Sequence, residues 1–338
     1  MLDCFSRFNH KRFLPLILFT LVFSLAIMLK GCGSGQSDEL ATLKVGMNNW
    51  PGYALALYAR KQGLFEQRGL QVQLVHFSNQ QDNIRATLRG ALDASFVPLW
   101  EVMQVDPGND KPAFVLVADV SSGSDGIVAQ PNISSIKELK GKKVGAKLGT
   151  VSHLILLEAL GSQGIKPDEV DITDVNNATS INKLEKQELD AAVLWEPSLS
   201  QTARKIGGNV IFTTKDVDSL VIDGLATRSS FVDSHQAELS KFIMAWFDAI
   251  NELERNPDLV FTVITNELGQ TTESFVEDYS GLRPGDRAMN QKMFAGRLEK
   301  AKQQISELLA KDSRHSRMIR EDVVFDDRPL NNALENWN

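Results

Sequence analysis

The order strand, turn, helix, strand, helix, strand occurs twice in this chain, and the duplication restricts the fold more than any single motif does. In the first copy Lys44-Val45-Gly46 opens a strand, Trp50-Pro51-Gly52-Tyr53 makes a turn, and a helical pattern runs from about Ala54 to Gln62. Gly63-Leu64-Phe65 and Gly69-Leu70 close that helix, Val72 to Phe77 alternates as a strand, and a second helix reaches Leu92-Asp93-Ala94-Ser95-Phe96-Val97. In the second copy Lys143-Val144-Gly145 leads to a glycine turn, a helix over 154–162 ends at Gly164-Ile165, Val170 to Val175 is a strand, and a helix reaches Leu189-Asp190-Ala191-Ala192-Val193. Val45 and Asp93 are 48 residues apart, Val144 and Asp190 46. One β-α-β-α-β plan repeated in this way predicts an α/β protein of two similar lobes, with parallel strands carrying helices on both faces. Ligands of such sheets sit beyond the carboxyl ends of the strands.

Both turns lie at such ends. In the second, Lys147-Leu148-Gly149-Thr150-Val151-Ser152-His153 places Thr150 or Ser152 to cap the following helix, leaving its first amides free for an anion. His153 either joins that seat or faces solvent from the first helical turn. An ordinary capped helix has the same sequence signature.

Two segments read as crossings between lobes. Phe114 to Val120 is a strand that runs into the polar break Ser121-Ser122-Gly123-Ser124-Asp125-Gly126, and the apolar run from Leu220 to Ala226 is interrupted by Asp223-Gly224. Interruptions of this kind suit a two-segment hinge. Residues 43–122 and 224–338 are then expected to form lobe 1, and 123–223 lobe 2. A long amphipathic helix over Gln236 to Glu254, a last helix over about Asn290 to Leu309 and a tail ending in Trp337 return to lobe 1.

Ahead of the body, Arg7, Lys11 and Arg12 precede 17 uncharged residues from Phe13 to Leu29, then Leu29-Lys30-Gly31-Cys32. A basic start, an apolar stretch and a small residue before a cysteine predict an export signal over 1–31 with Cys32 acylated, as in a lipobox. The alternative is an uncleaved membrane anchor, since such a stretch is just long enough to span. Residues 32–42 read as a flexible tether. Either way the body is placed outside the cytoplasm.

Composition closes off several functions. A net charge of −7 argues against nucleic acid. The two cysteines, Cys4 and Cys32, precede the body, and the five histidines show no ligand spacing, so no metal and no cofactor are expected.

Six landmarks in order over about residues 43–232 resemble the extracytoplasmic solute-binding proteins of ABC importers, in the nitrate, sulfonate and taurine group that includes binders of thiamine precursors. They are Trp50-Pro51-Gly52-Tyr53, Gly63-Leu64-Phe65 with Gly69-Leu70-Gln71-Val72, Gly90-Ala91-Leu92-Asp93-Ala94, Ile136 to Gly145, the Thr150 turn, and Asp190 to Pro197. The resemblance implies a type II periplasmic binding protein fold with a ligand closed between two lobes. It also implies a small-molecule ligand, a membrane permease or receptor as partner, a monomer, and no chemistry. Some thiamine-pyrimidine and quinone-pathway enzymes share the fold, but no nucleophile and base are paired in the matched segments.

Carried over residue by residue, the cleft would hold Trp50, Gly52 and Tyr53 from the first turn, Ser122 and Asp125 from the first crossing, and Thr150, Ser152 and His153 from the anion seat. Trp195 and Glu196 at a strand end and Asp223 from the second crossing complete it. Ser122 and Asp125 are equally turn residues, and Glu196 could instead cap the next helix. Carboxylates without a matched Arg or Lys suit a zwitterion, its acid on the Thr150 helix and its amine between Asp125, Glu196 and Asp223.

Overall fold

The computed structural model describes residues 40–106, 110–312 and 319–337. From Ala41 onward the chain forms one compact unit. The export signal and Cys32 lie outside the described residues. Of the stretch assigned to the tether, Ala41 and Thr42 already belong to the first strand, where they pair with Leu70 and Gln71.

Twelve strands follow in chain order: β1 Ala41–Met47, β2 Leu70–His76, β3 Ala94–Pro98, β4 Pro112–Ser121, β5 Asp125–Ala129, β6 Lys143–Gly145, β7 Asp171–Thr173, β8 Ala191–Trp195, β9 Asn209–Thr213, β10 Ile222–Arg228, β11 Leu282–Pro284 and β12 Val324–Phe325. They form two sheets. One has the order β11-β4-β10-β3-β1-β2 with β12 on β4, the other β7-β6-β8-β5-β9.

The duplicated plan is visible in both. β1 lies parallel between β2 and β3, and β6 parallel between β7 and β8. Each trio is then joined by an antiparallel strand arriving from a crossing, β10 beside β3 and β5 beside β8. The repeated residues have repeated physical jobs. The Lys44 amide donates to Asp93 Oδ2 at 2.7 Å and the Lys143 amide to Asp190 Oδ2 at 2.8 Å, fixing the register between the first and third strand of each copy. A Cβ on Gly46 would meet Asn83 Oδ1 at 1.8 Å and one on Gly145 would meet Leu189 Cδ1 at 2.7 Å, so both glycines let side chains close tightly over the sheet.

The first crossing is short, Ser122 to Ser124 between β4 and β5, with Gly123 at φ 133°. The second was expected to break at Asp223-Gly224, but both residues lie inside the continuous strand β10. A register shift against β4 falls between them, and Gly224 is needed because a Cβ there would sit 2.1 Å from the Leu116 carbonyl. The irregular backbone lies earlier, around Ser219 at φ 53°.

Beyond β10 the helix Ser229–Arg255 covers the first sheet, burying Phe242, Trp246 and Phe247. The last helix is interrupted rather than continuous. Arg287–Lys292 passes into a π turn, Met293–Arg297, with Gly296 at φ 118°, before Leu298–Leu309 resumes. That final stretch touches both lobes, its Lys302 ammonium lying 5.3 Å from the centre of the Phe325 ring of β12. Its apolar face, Leu298, Ala301 and Ile305, shares a core with Leu154 and Ile155 of the helix Val151–Ser162, because its own apolar stripe is matched by that helix's all-round apolar surface. The tail forms a further helix, Arg328–Asn336, held by a Trp337 indole bond to Asp248 at 2.7 Å.

Candidate ligand-binding cleft

A cavity of about 70 Å³ lies between the two sheets, room for a few waters or a compact ligand. Asn48, Trp50, Tyr53, Gln80, Pro98 and Glu101 face it from the first lobe, Asp125, Val151 and Trp195 from the second, and Val221 and Asp223 from the return crossing. Trp50, Tyr53, Asp125, Trp195 and Asp223 are thus brought together from four separate stretches of sequence.

The short turn Pro51–Tyr53 after β1 aims two aromatic rings into this space. The Trp50 indole N–H donates to both Asp119 oxygens, at 3.1 and 3.2 Å, and the Tyr53 hydroxyl donates to Asp223 Oδ1. Tyr53 is held flat by Phe96, ring centroids 5.1 Å apart, and Gln80 Nε2 reaches the Tyr53 oxygen at 3.4 Å. Gly52 does not line the cavity. It makes room for Asp119, whose Oδ2 would lie 1.9 Å from a Cβ at that position.

The anion seat is already taken. The Val151 amide at the start of its helix donates to Glu101 Oε1 at 3.4 Å, so a carboxyl of the chain itself occupies the positive helix end. Thr150 Oγ1 turns back to the Lys147 carbonyl at 2.8 Å and makes no cap bond to its helix. Ser152 is buried and outside the lining. His153 is neither in the seat nor solvent-facing. It is fully buried, its Nε2 is 2.8 Å from Asp312 Oδ2, and its ring meets Trp100 edge-on. Helix Leu298–Leu309 covers that side, and the imidazole turns inward to meet the aspartate at its end.

Two further residues fall outside the lining. The Ser122 amide donates to the Gly281 carbonyl at 2.7 Å. Glu196 Oε2 accepts the Ser200 amide at 3.1 Å, the helix-capping alternative for this residue.

Four carboxyls around the cavity are almost wholly buried: Glu101, Asp119, Asp125 and Asp223 are 4%, 1%, 3% and 2% exposed. Burial disfavours their charged forms, and their mutual repulsion adds to it. Loss of solvent raises Glu101 to about 8, against the helix amide's pull. Burial lifts Asp119 to about 8 despite the Trp50 indole, and Asp125 to about 7 despite a hydrogen bond from Ser121. Asp223 is displaced upward by burial and then by Asp119, and Tyr53 likewise by burial and then by Asp223. No Lys, Arg or His lines the cavity among the described residues.

Sequence reasoning missed Glu101, Asp119, Gln80 and Asn48. The signal for the first two was present: each is a lone carboxylate inside an apolar run, Leu99 to Met103 and Phe114 to Val120, the same pattern that singled out Asp223.

A family model described as the NMT1-like family matches residues 36–260. A putative binding protein of Brucella abortus (strain 2308) is 30% identical over 162 residues, 47% of this chain and 49% of that protein. The match therefore spans about half the length of that relative. The taurine-binding periplasmic protein of Escherichia coli (strain K12) is 26% identical over 147 residues, 43% of this chain and 45% of its own length. Among solved structures, the periplasmic aliphatic sulphonate binding protein SsuA from Escherichia coli superposes with a TM-score of 0.69 at 16% identity, over 82% of this chain and 95% of that one. At that identity the likeness speaks for the fold, a periplasmic binding protein of two α/β lobes.

Proposed function

Since the chain belongs to the NMT1-like family, we propose that it is the solute-binding lipoprotein of an ABC importer. In this reading it closes its lobes on a small organic solute containing nitrogen or sulfur and presents it to a membrane permease. The observation that carries the reading is the cavity between the sheets, to which both lobes and the return crossing contribute side chains. A site divided in this way is completed only when the lobes approach each other, so ligand binding and closure are one event. Relatives named for periplasmic binding support it. Acylated Cys32 would hold the body at the membrane outside the cytoplasm, within reach of the permease. Trp50, Tyr53, Asp125, Trp195 and Asp223 are the residues proposed to touch the ligand.

One measurement addresses both the anchor and the ligand. Native mass spectrometry of the full-length chain, extracted from its own membranes, should give a protein that begins at an acylated Cys32 and carries one small non-covalent solute released on activation. Asp223→Ala and Trp195→Ala should abolish the adduct while leaving the lobes folded by circular dichroism. Chain recovered without a solute, and unaltered in thermal stability by every small nitrogen or sulfur compound tried, would remove this reading. A specific solute at about 100 times its Kd should add about 2.7 kcal/mol.

A further inference from the structure

We infer that the cleft takes a compact organic cation bearing N–H donors, such as an amine, an amidine or a protonated nitrogen heterocycle, and rejects solutes whose recognised group is an acid. The inference rests on the solute-binding reading above and narrows it.

Three observations converge. The first is an imbalance of charge: Glu101, Asp125 and Asp223 line the cavity, Asp119 stands directly behind Trp50, and no cationic side chain faces them among the described residues. Burial holds them neutral while the cleft is empty, and a cation entering among them lets them ionise against a countercharge that only the ligand can supply.

The second is an imbalance of hydrogen bonding. Glu101 Oε2 and Asp125 Oδ2 are buried and have no hydrogen-bond partner, one on each side of the cavity. Leaving a buried acceptor unmade is unfavourable, so these two oxygens mark where donors are wanted. A quaternary ammonium has no N–H to give them. Water could bond to either oxygen but would leave the acids without countercharge.

The third is that most of the donors an anion would need are already committed, the Asn48 amide and the Trp195 indole apart. The Val151 amide serves Glu101, the Trp50 indole serves Asp119, the Tyr53 hydroxyl serves Asp223, and Gln80 Nε2 serves Tyr53 and the Phe96 carbonyl. A sulfonate or carboxylate arriving here finds few free N–H donors and gains no countercharge from the acids around it. The walls of Trp50, Tyr53 and Trp195 favour a cation with a hydrocarbon body through their ring faces. They do not favour a bare metal, and among the described residues no group of three or more possible ligands is gathered for one.

Binding should be linked to protons. The titratable groups lining the site are Tyr53 on its turn, Glu101 on the helix Leu99–Gln104, Asp125 on β5 and Asp223 on β10, and those electrostatically linked to them from behind are Asp119 on β4, Glu196 after β8, and Asp278 and Tyr279 on the helix Thr272–Ser280. All are acids. Burial favours the protonated forms of Glu101, Asp119, Asp125 and Asp223 in the empty cleft, and an entering cation makes their ionised forms favourable, so binding expels protons and tightens as pH rises.

The test uses the full-length protein, freed of solute by unfolding and refolding, with thermal shift and calorimetry at about pH 6 and about pH 8. The probes are 1,4-diaminobutane, benzylamine and benzamidine, against choline, taurine, ethanesulfonate, nitrate and calcium. At least one of the first three should bind saturably, about tenfold or more tightly at the higher pH, with heats that vary with buffer as protons are released. Asp125→Asn should raise the melting temperature of the empty protein and weaken that probe about tenfold or more. Glu101→Gln should do the same from the other side. Binding of taurine, ethanesulfonate or nitrate without the amines would overturn the inference while leaving the importer reading in place. Choline or calcium binding as well as the amines would overturn it too, as would no response to any of the three amines. A melting temperature lowered by both variants would make the acids structural and sink it likewise.

Discussion

Asn290→Leu lowers the stability of the protein by about 3–5 kcal/mol and its melting temperature by roughly 5–10 °C. Strand β4 is paired along one side by β10, but its other side is shared by two short strands. β12 meets it at Ala113 and Phe114, and β11 at Asp119 to Ser121. Val117 falls in the gap between them. The Asn290 side chain, wholly buried, closes the gap by mimicking a strand: its Oδ1 accepts the Val117 amide at 2.8 Å and its Nδ2 donates to the Val117 carbonyl at 2.9 Å. The same nitrogen serves the Gly285 carbonyl at 2.9 Å. Leucine fills the volume and bonds none of these groups, leaving the Val117 amide and carbonyl unsatisfied at about 1–3 kcal/mol each before relaxation, while the Gly285 carbonyl keeps the Trp246 indole at 3.3 Å. Asn290→Asp should be no better, because it keeps one acceptor and turns a carboxylate toward carbonyls. Urea unfolding of the two variants checks the account, and a loss below about 1 kcal/mol for leucine would refute it.

Asn290 also shows where the sequence stops being readable. The doubled plan is legible because identical problems were solved with identical residues: Asp93 and Asp190 on the Lys44 and Lys143 amides, Gly46 and Gly145 under their helices. The periodicity of apolar residues gives the strands and helices of each copy. No periodicity encodes that an asparagine in one helix completes a strand 173 residues away. The same is true of the cleft. Thr150's helix offers free amides in any reading of its sequence, but that Glu101, 50 residues earlier, fills them depends on how the lobes meet. The residues found in advance, Trp50, Tyr53, Asp125, Trp195 and Asp223, sit at strand ends or interrupt apolar runs, features with a local signature. His153 was misplaced because its partner Asp312 lies just beyond the helix Leu298–Leu309, whose packing partner no local pattern reveals.

The solute-free protein grows less stable as pH rises from about 5 to about 8, the reverse of what paired surface carboxylates produce. Glu101 titrates at about 8 in the folded protein against 4.5 in a solvated chain, Asp119 at about 8 and Asp125 at about 7 against 3.8. Asp278 is raised to about 6 by partial burial and by Glu196. Above the unfolded values the unfolded chain has shed these protons while the native cleft still holds them, so each rise in pH favours unfolding. The decline ends once the native groups have themselves ionised. Each unit of displacement is worth about 1.4 kcal/mol, and three buried groups each held protonated over about two to three units of this range make the fall on the order of 10 kcal/mol. Carboxyls lowered by partners, such as Asp110 beside Ser230 and Asp322 beside Arg320, act with the opposite sign, and their contribution is already complete above the unfolded values. Urea midpoints at about pH 5, 6.5 and 8, with an unchanged slope, give the measurement. Asp125→Asn should flatten the curve and lift its alkaline end, because a neutral amide has no proton to lose as the pH rises. A midpoint that stays level or climbs across that range would mean that these four acids are ionised in the empty cleft.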